Sequence, residues 1–328
     1  MMSTEVAPGK ISPGLIVDAM SAKENFTLES VVVTLRKLEG RDKATKMVQY
    51  VARFLYWWYA SSDPALSRRA FNLFRTTQRS RKAFRLLKVL DEVVKLRQIF
   101  REASVKGTGF LDYGEALNAA RCLVMGCFWT FDNLAYLTTT QTVNFGAERA
   151  QKGFSRSYTV SSALYILLGI ESLRLSNDKR REVAADYAAY ATDRRHVTTD
   201  CALRDSSAVQ RSRQEVRLRE ASRRANAEHF DSWIMVLKGL ADLTCAANIT
   251  GVDLPMRFLG HKLNDGIIGA AGCISSLCGL YSSWPSRQEP PPLQRSSGST
   301  SLVTSDNGIE SAAPGHKSTP LGASASPG

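Results

Sequence analysis

The sequence predicts an all-α integral membrane protein, with amphipathic helices in its N-terminal part and a transmembrane helix towards its C-terminal end. Apolar residues recur at helical spacing through most of the chain, which favours helices over strands. The nineteen residues 266–284 contain no charged side chain, as a membrane-spanning helix requires. The positive charge is concentrated, because eleven Lys/Arg and only two acidic residues lie between Leu66 and Arg101.

The overall composition narrows the function classes. Of the 328 residues 44% are hydrophobic, so the chain can form a packed core and is not wholly disordered. The formal net charge of +12 indicates an anionic partner, either nucleic acid or an anionic lipid surface. The N-terminus lacks a basic segment followed by an apolar run, so we expect no secretory signal.

The residues that most often carry chemistry have the wrong spacing for it. The six cysteines form no Cys-x-x-Cys pair, and none of the four histidines lies three or four residues from another histidine or a cysteine. We therefore expect no metal site, no cofactor and no enzymatic activity. The cysteines are interpreted as small apolar residues on buried or lipid-facing helices, with palmitoylation as the alternative.

One segment, from Gly107 to Glu115, resembles the second half of an EF-hand calcium loop. If Gly109 takes loop position 6 and Glu115 position 12, Lys106 falls at position 3, where calcium needs an oxygen ligand. Because the ammonium group would repel the ion, a connection between two helices is the preferred interpretation.

The N-terminal part is expected to contain a flexible tail, residues 1–26, and a cytosolic region of amphipathic helices, residues 27–115. Thr27 is the predicted N-cap of the first helix, which Gly40 is expected to end. Asp42 is the predicted N-cap of a second helix, whose apolar and charged residues separate onto opposite faces.

A single long helix is predicted from about Ala65 to Ala103, with apolar residues on one face and a row of cations on the other. This pattern is typical of a helix that lies in the plane of an anionic membrane with its apolar face in one leaflet. The alternative is a solvated face on a helix whose apolar side packs in a protein core. The predicted membrane-inserting face consists of Phe84, Leu86, Leu87, Leu90, Val93 and Val94. The predicted headgroup-binding face consists of Arg75, Arg79, Arg81, Lys82, Arg85 and Lys88.

Residues 116–177 are expected to form apolar helices, with a possible first membrane segment near 157–175. The fourteen uncharged residues 157–170 span only about 21 Å as a helix, short of a hydrocarbon core of about 30 Å. Crossing of the bilayer and packing at its interface therefore both stay open. Residues 178–232 are dense in both charge signs and are expected to be a helical or partly disordered linker.

Residues 233–285 are the predicted C-terminal anchor region, with a membrane span near 266–284. Small residues at close helical spacing would let this helix approach another one, and a buried glycine-rich helix of a soluble protein is the alternative. The residues predicted to pack against the neighbouring helix are Gly269, Gly272, Ser276 and Gly279. Residues 286–328 are rich in Pro, Ser and Gly and are expected to be disordered.

Several short motifs carry a family resemblance. They are Gly40-Arg41-Asp42-Lys43 with residues 49–55 after it, the basic segment 80–86, Phe131-Asp132-Asn133-Leu134, and Leu240-Ala241-Asp242-Leu243 with residues 264–281 after it. In this order they resemble the opening, the basic helix, the apolar Asp-Asn segment and the C-terminal anchor of the peroxin-11 family. The resemblance covers residues 36–285.

The resemblance implies an integral protein of the membrane of peroxisomes, or of a specialised peroxisome-like organelle, that elongates and tubulates the organelle before fission. It also implies self-association into a homo-oligomer and contact with dynamin-type fission machinery and its adaptors. The basic amphipathic pattern adds anionic membrane lipids as partners.

Two other functions compete with this one. A metabolite pore would use the same membrane helices, with Asp132 and Asn133 as the residues that suggest a polar path, although a structural hydrogen bond is the preferred role for them. A nucleic-acid binder would use the cations of 66–101, but aromatic residues are not interleaved with them as a stacking platform requires, except Phe71, Phe74 and Phe84. We therefore expect no nucleic-acid partner.

Overall fold

The structure, a computed structural model, describes Lys23 and residues 26–106, 111–197, 204–249 and 251–286. The predicted tails, 1–26 and 286–328, lie outside this part of the chain except for Lys23, Phe26 and Ser286. The described residues contain helices and no strand, so the predicted all-α fold is confirmed. The helices are α1 (Leu28–Arg36), α2 (Leu38–Trp58), α3 (Pro64–Phe84), α4 (Val89–Val105), α5 (Tyr113–Thr139), α6 (Ala147–Val197), α7 (Arg204–Ala247), α8 (Leu254–Leu259) and α9 (Asp265–Ser283).

Short polar residues begin several of these helices. The Thr27 side chain accepts a hydrogen bond from the backbone N–H of Ser30, which confirms it as the N-cap of α1. Asp63 caps α3 directly before a proline at the first helical position, and Asn264 caps α9. These side chains satisfy backbone N–H groups that lack partners in the first helical turn.

The predicted boundary at Gly40 is wrong. The chain turns at Lys37, and α2 then continues through Gly40 and Asp42 without a break. A Cβ on Gly40 would lie 2.0 Å from the carbonyl oxygen of Thr34, so the glycine is what allows α2 to start close against α1. Asp42 does not cap α2, because it lies one turn inside the helix and faces the interior.

The predicted single helix from Ala65 to Ala103 is two helices, α3 and α4. The turn Arg85–Lys88, which we call the elbow, joins them, and its residue Leu87 has a φ of 62°. A bulky side chain rarely adopts this left-handed conformation, so surrounding contacts must hold it. The break coincides with Arg85, whose guanidinium group is held in the interior by two aspartates.

The longer helices form a ring. Neighbouring helices contact each other in the order α3, α2, α9, α7, α6 and α5, and contacts between α3 and α5 close the ring. Helix α4 packs outside it against α5, where Ile99 is buried with Ala119 and Cys122.

The ring has its polar side chains inside and many of its apolar side chains outside. On α2, Asp42, Lys46 and Gln49 are buried, whereas Val48 and Val51 are 44% and 40% exposed. The same reversal recurs on the other helices. Exposed apolar residues there include Val160, Leu167 and Ile170 of α6, Leu237 and Leu240 of α7, and Ile267, Ile274 and Leu277 of α9. A soluble bundle has the opposite distribution, so this surface is suited to lipid.

The charged segment predicted as a linker, 178–232, contributes to two long helices, and its residues 198–203 lie outside the described part of the chain. Helix α6 continues past Asp178 to Val197, and α7 returns alongside it. Lys179 and Glu228 form an ion pair of 2.7 Å between the two helices. Where the side chains are described, these mixed charges lie mostly on the exposed faces of packed helices.

Candidate functional site

The predicted membrane-inserting residues lie at the last residue of α3, at the elbow and on the first turns of α4, and all of them are exposed. Their exposed fractions range from 40% at Phe84 to 69% at Leu87. The opposite face of α4 buries Ile99 and Ala103 against α5, so these residues are not needed for the core. We call the six residues the apolar patch: Phe84, Leu86, Leu87, Leu90, Val93 and Val94.

The predicted headgroup-binding cations divide into three groups. Arg75 and Arg79 are exposed on α3, and Lys82 and Lys88 are half-buried. Lys88 lies over the ring of Trp129. The prediction that Arg81 and Arg85 belong to an exposed basic face is wrong, because both are more than nine-tenths buried. They face inwards to neutralise buried carboxylates, which a helical period alone does not reveal.

The first of these carboxylates is Asp42. Arg81 donates from Nε and Nη2 to the two oxygens of Asp42, at 2.9 and 3.3 Å, and from Nη1 to Gln49 at 2.7 Å. Arg85 donates to Asp132 at 2.9 Å, and its Nε lies 3.5 Å from Asp42. The two arginines therefore connect α2, α3, the elbow and α5.

The second buried carboxylate, Asp242 of α7, connects four helices. It accepts hydrogen bonds from Lys46 of α2, Tyr158 of α6 and Lys238 of its own helix, each at 2.8 Å. Ser275 of α9 donates to the same carboxylate at 2.5 Å. Because Ser275 lies near the middle of α9, this cluster lies midway along that helix.

Sequence reasoning missed that these residues meet. Asp42 is predicted from the sequence as a cap, although the i, i+4, i+7 spacing of Asp42, Lys46 and Gln49 places the three residues on one helical face. Asp132 has the structural role that was preferred for it. The motifs that carry the family resemblance supply Asp42, Arg81, Arg85, Asp132 and Asp242 to one polar centre.

A cavity of about 260 Å³ opens between the two carboxylate clusters. Eight Lys/Arg and three aspartates line it, so its lining has an excess of positive charge. The cavity inside the ring is therefore cationic, whereas the outer surface of the ring is largely apolar.

Helix α9 packs closely on α2. A Cβ on Gly272 would lie 2.0 Å from the ring of Tyr50, and one on Gly269 would lie 2.8 Å from the backbone of Phe54. Ser276 is fully buried, and Gly279 lies against the stem of Lys43. The predicted small residues therefore face a helix of the same chain.

Among the described helices α9 alone is both long and apolar enough to cross a membrane, and half of it is buried within the protein. The segment 157–175, predicted as a possible first membrane segment, lies within α6 and does not meet the same criterion. Polar serines of that segment, such as Ser161 and Ser162, face the interior.

The EF-hand-like segment connects α4 and α5, as preferred, and Gly109 lies outside the described residues. Glu115 accepts hydrogen bonds from Lys106 and from the backbone N–H of Asp112, whose side chain caps α5. This capping box uses both carboxylates locally.

Comparison with known families decides which proteins this arrangement belongs to. The family model described as Peroxisomal biogenesis factor 11 (PEX11) matches residues 28–284. The chain belongs to the PEX11 family. The family predicted from the motifs is thus confirmed, and the chain is a peroxisomal membrane protein of peroxisome biogenesis.

Curated PEX11 relatives are similar over nearly their whole length. The chain is 24% identical over 260 residues to Peroxisomal membrane protein 11-4 of Oryza sativa subsp. indica, covering 79% of this chain and 98% of the relative. It is 24% identical over 268 residues to the Peroxisomal membrane protein 11 homolog of Dictyostelium discoideum, covering 80% and 98%. No solved structure matches the chain.

Proposed function

We propose that this PEX11-family protein elongates the peroxisomal membrane before fission by inserting the apolar patch into one leaflet. The observation that carries the proposal is the exposure of six large apolar side chains, up to 69% at Leu87, at the elbow and on the helix ends beside it. Arg85 fixes the elbow from inside through its ion pair with Asp132. Insertion into one leaflet expands that leaflet relative to the other and favours curvature.

The energies are sufficient for insertion. Complete burial of such a side chain contributes about 1.5–3 kcal/mol, and roughly half of each remains exposed, so the patch offers about 6 kcal/mol. Arg75 and Arg79 add about 1 kcal/mol each near an anionic surface. Anionic membrane lipids are therefore the proposed partner of this surface, and the mechanism requires no enzymatic activity.

The anchor in this proposal is the ring itself, with α9 as a membrane span. The apolar residues on the outside of the ring would contact lipid, and the ion pairs inside the ring would be shielded from lipid. The proposal extends to self-association, and to recruitment of dynamin-type fission machinery and its adaptors, as the family resemblance implies. Co-purification of two differently tagged copies from membranes tests the first of these partners.

Vesicle tubulation by the full-length protein tests the central proposal. We expect Leu87→Glu with Leu90→Glu to abolish tubulation of anionic vesicles while the protein stays membrane-bound through the ring. Val216→Glu is the matched control, because Val216 is 52% exposed on the charged part of α7 and is not in the patch. Equal tubulation by the double variant and by the control would refute the proposal.

A second candidate function, a metabolite pore, is favoured by the cationic cavity inside the ring. It predicts flux of small anions through reconstituted protein, with Asp132 near the path. If a preparation that tubulates vesicles shows no flux, the pore function is refuted and membrane remodelling is the remaining candidate.

A further inference from the structure

We propose that the short helix α8 is an interfacial anchor, whose last turn inserts among phospholipid headgroups at the N-terminal end of α9. The inserted residues are Met256, Phe258 and Leu259, which we call the tip. The proposal rests on the membrane span proposed for α9 and does not depend on the apolar patch.

The tip presents three exposed large apolar side chains within four residues. Phe258 is 82% exposed, more than any residue of the apolar patch, and Met256 and Leu259 are 51% and 59% exposed. The start of α8 is different, because Val252 and Pro255 are buried. Helix α8 is therefore attached to the rest of the protein by its first turn, and its last turn projects outwards.

Local contacts hold the tip in this position. The side chain of Asn248, just after α7, accepts a hydrogen bond from the backbone N–H of Leu263 at 2.9 Å and donates one to its carbonyl oxygen at 3.3 Å. Lys262 and Asp253, which flank α8, form an ion pair of 2.9 Å. Because the two ends of the connection between α7 and α9 are joined, the exposure of the tip is a property of a fixed connection.

The tip lies at one end of the proposed span. Helix α9 begins at Asp265, which pairs with Arg53 at 2.6 Å. Two tryptophans of α2 lie at the same end, since Trp57 packs against Gly266 and its neighbour Trp58 is 59% exposed. Tryptophan is enriched at membrane–water interfaces, and ionised groups favour the polar side of such an interface. This end of α9 is therefore the level at which headgroups are expected.

The residues beside the tip suit the same level. Arg257 lies within the tip segment and is exposed, and so are His261 and Lys262 directly after α8. Exposed apolar side chains with neighbouring cations are typical of segments at the boundary between headgroups and acyl chains. There the apolar groups leave water while the cations stay near the phosphates. Phospholipid is therefore the partner that this chemistry fits.

The tip is a lipid contact separate from the elbow. Asp42, which the elbow contacts, is followed by Lys43, and Lys43 packs against Gly279 near the other end of α9. Gly279 lies about 20 Å further along α9 than Gly266. With α9 across the bilayer, the tip lies at the interface opposite to the apolar patch. It has three apolar side chains against the six of the patch, so its role is to fix the depth of α9 rather than to bend the membrane.

Depth-dependent fluorescence quenching of the full-length protein in vesicles tests the proposal. An environment-sensitive fluorescent amino acid in place of Phe258 should be quenched more by a nitroxide near the headgroup end of the acyl chains than by one near their methyl end. Iodide on both sides of the membrane should quench it only weakly. The matched control is the same probe in place of Ile274, which is 40% exposed at the middle of α9 and should be quenched most by the deeper nitroxide.

The two positions separate failure of the anchor from failure of the span. Quenching by iodide alone at position 258, with lipid quenching at position 274, would overturn the proposal and leave the span intact. Quenching by iodide alone at both positions would overturn the span and the proposal with it.

A substitution gives a second readout. Phe258→Glu should fold like the unaltered protein, because the side chain is 82% exposed. Its carboxylate should draw the tip towards water, so lipid quenching of a probe in place of Leu259 should fall about twofold or more. Val216→Glu, on the charged part of α7, should leave this quenching unchanged. Equal quenching of the Leu259 probe with and without Phe258→Glu would overturn insertion of the tip.

Discussion

Replacement of Asp242 by asparagine tests whether the polar centre holds the ring together. The substitution keeps the size and one oxygen acceptor of the side chain but removes its negative charge. Lys46 and Lys238, each 2.8 Å from the carboxylate, would then be left in the interior without an anion. Loss of one partner of a buried ion pair costs about 3–5 kcal/mol, so we expect a loss of that size in the free energy of unfolding.

The assay is unfolding of the purified protein in mixed micelles by increasing fractions of sodium dodecyl sulfate, followed by circular dichroism. Glu228→Gln is the matched control, because Glu228 also lies on α7 and pairs with Lys179 of α6, but this pair is more than half exposed. Exposed pairs contribute about 1 kcal/mol or less. Lys46→Met in the Asp242→Asn background should recover at least about 1 kcal/mol, because it removes one orphaned cation. Equal losses for Asp242→Asn and Glu228→Gln, with no recovery, would refute this role.

Three further predictions concern the arginines of α3, the α2–α9 contact and the cysteines. Arg81→Gln should lower the free energy of unfolding by about 3 kcal/mol or more. Arg79→Gln should leave the melting temperature unchanged and weaken binding to anionic vesicles about fivefold. The reverse pattern in melting and vesicle-flotation assays would contradict the assignment of Arg81 to the interior. Gly272→Ala should destabilise the protein by about 1–3 kcal/mol, because the added Cβ would clash with the ring of Tyr50. Gly126→Ala should be neutral, because its Cβ would meet only Val89 at 3.9 Å. Equal unfolding curves for the two variants would argue against close α2–α9 packing. N-ethylmaleimide should modify exposed Cys127 before the other described cysteines. Peptide mass spectrometry measures the order of labelling, and faster labelling of a buried cysteine would contradict the orientation of α5.

The fold class and the family could be predicted from the sequence because they depend on local patterns. Thr27 is recognisable as a cap, and the period of apolar residues identifies helices wherever the core lies. The direction in which a face points could not be predicted. A stripe such as Asp42, Lys46 and Gln49 has the same period whether it meets water or charged groups in the interior.

The break at the elbow was equally hidden. No proline or glycine marks the turn Arg85–Lys88, and the left-handed conformation falls on Leu87, a residue that disfavours it. The turn depends on contacts distant in sequence, between Arg85 and the two aspartates at positions 42 and 132. Sequence spacing therefore showed an apolar stripe at these positions but not the turn that divides it, and insertion of the stripe into a leaflet stays a prediction.

The location of Leu87 relative to the bilayer tests the account most directly. An environment-sensitive fluorescent amino acid at this position, in full-length protein reconstituted in anionic vesicles, should show blue-shifted emission that is quenched by nitroxides on lipid acyl chains. The same probe at Val216 should be quenched by iodide in the water phase. Quenching of the probe at position 87 by iodide alone, in vesicles that the protein tubulates, would contradict insertion of the apolar patch.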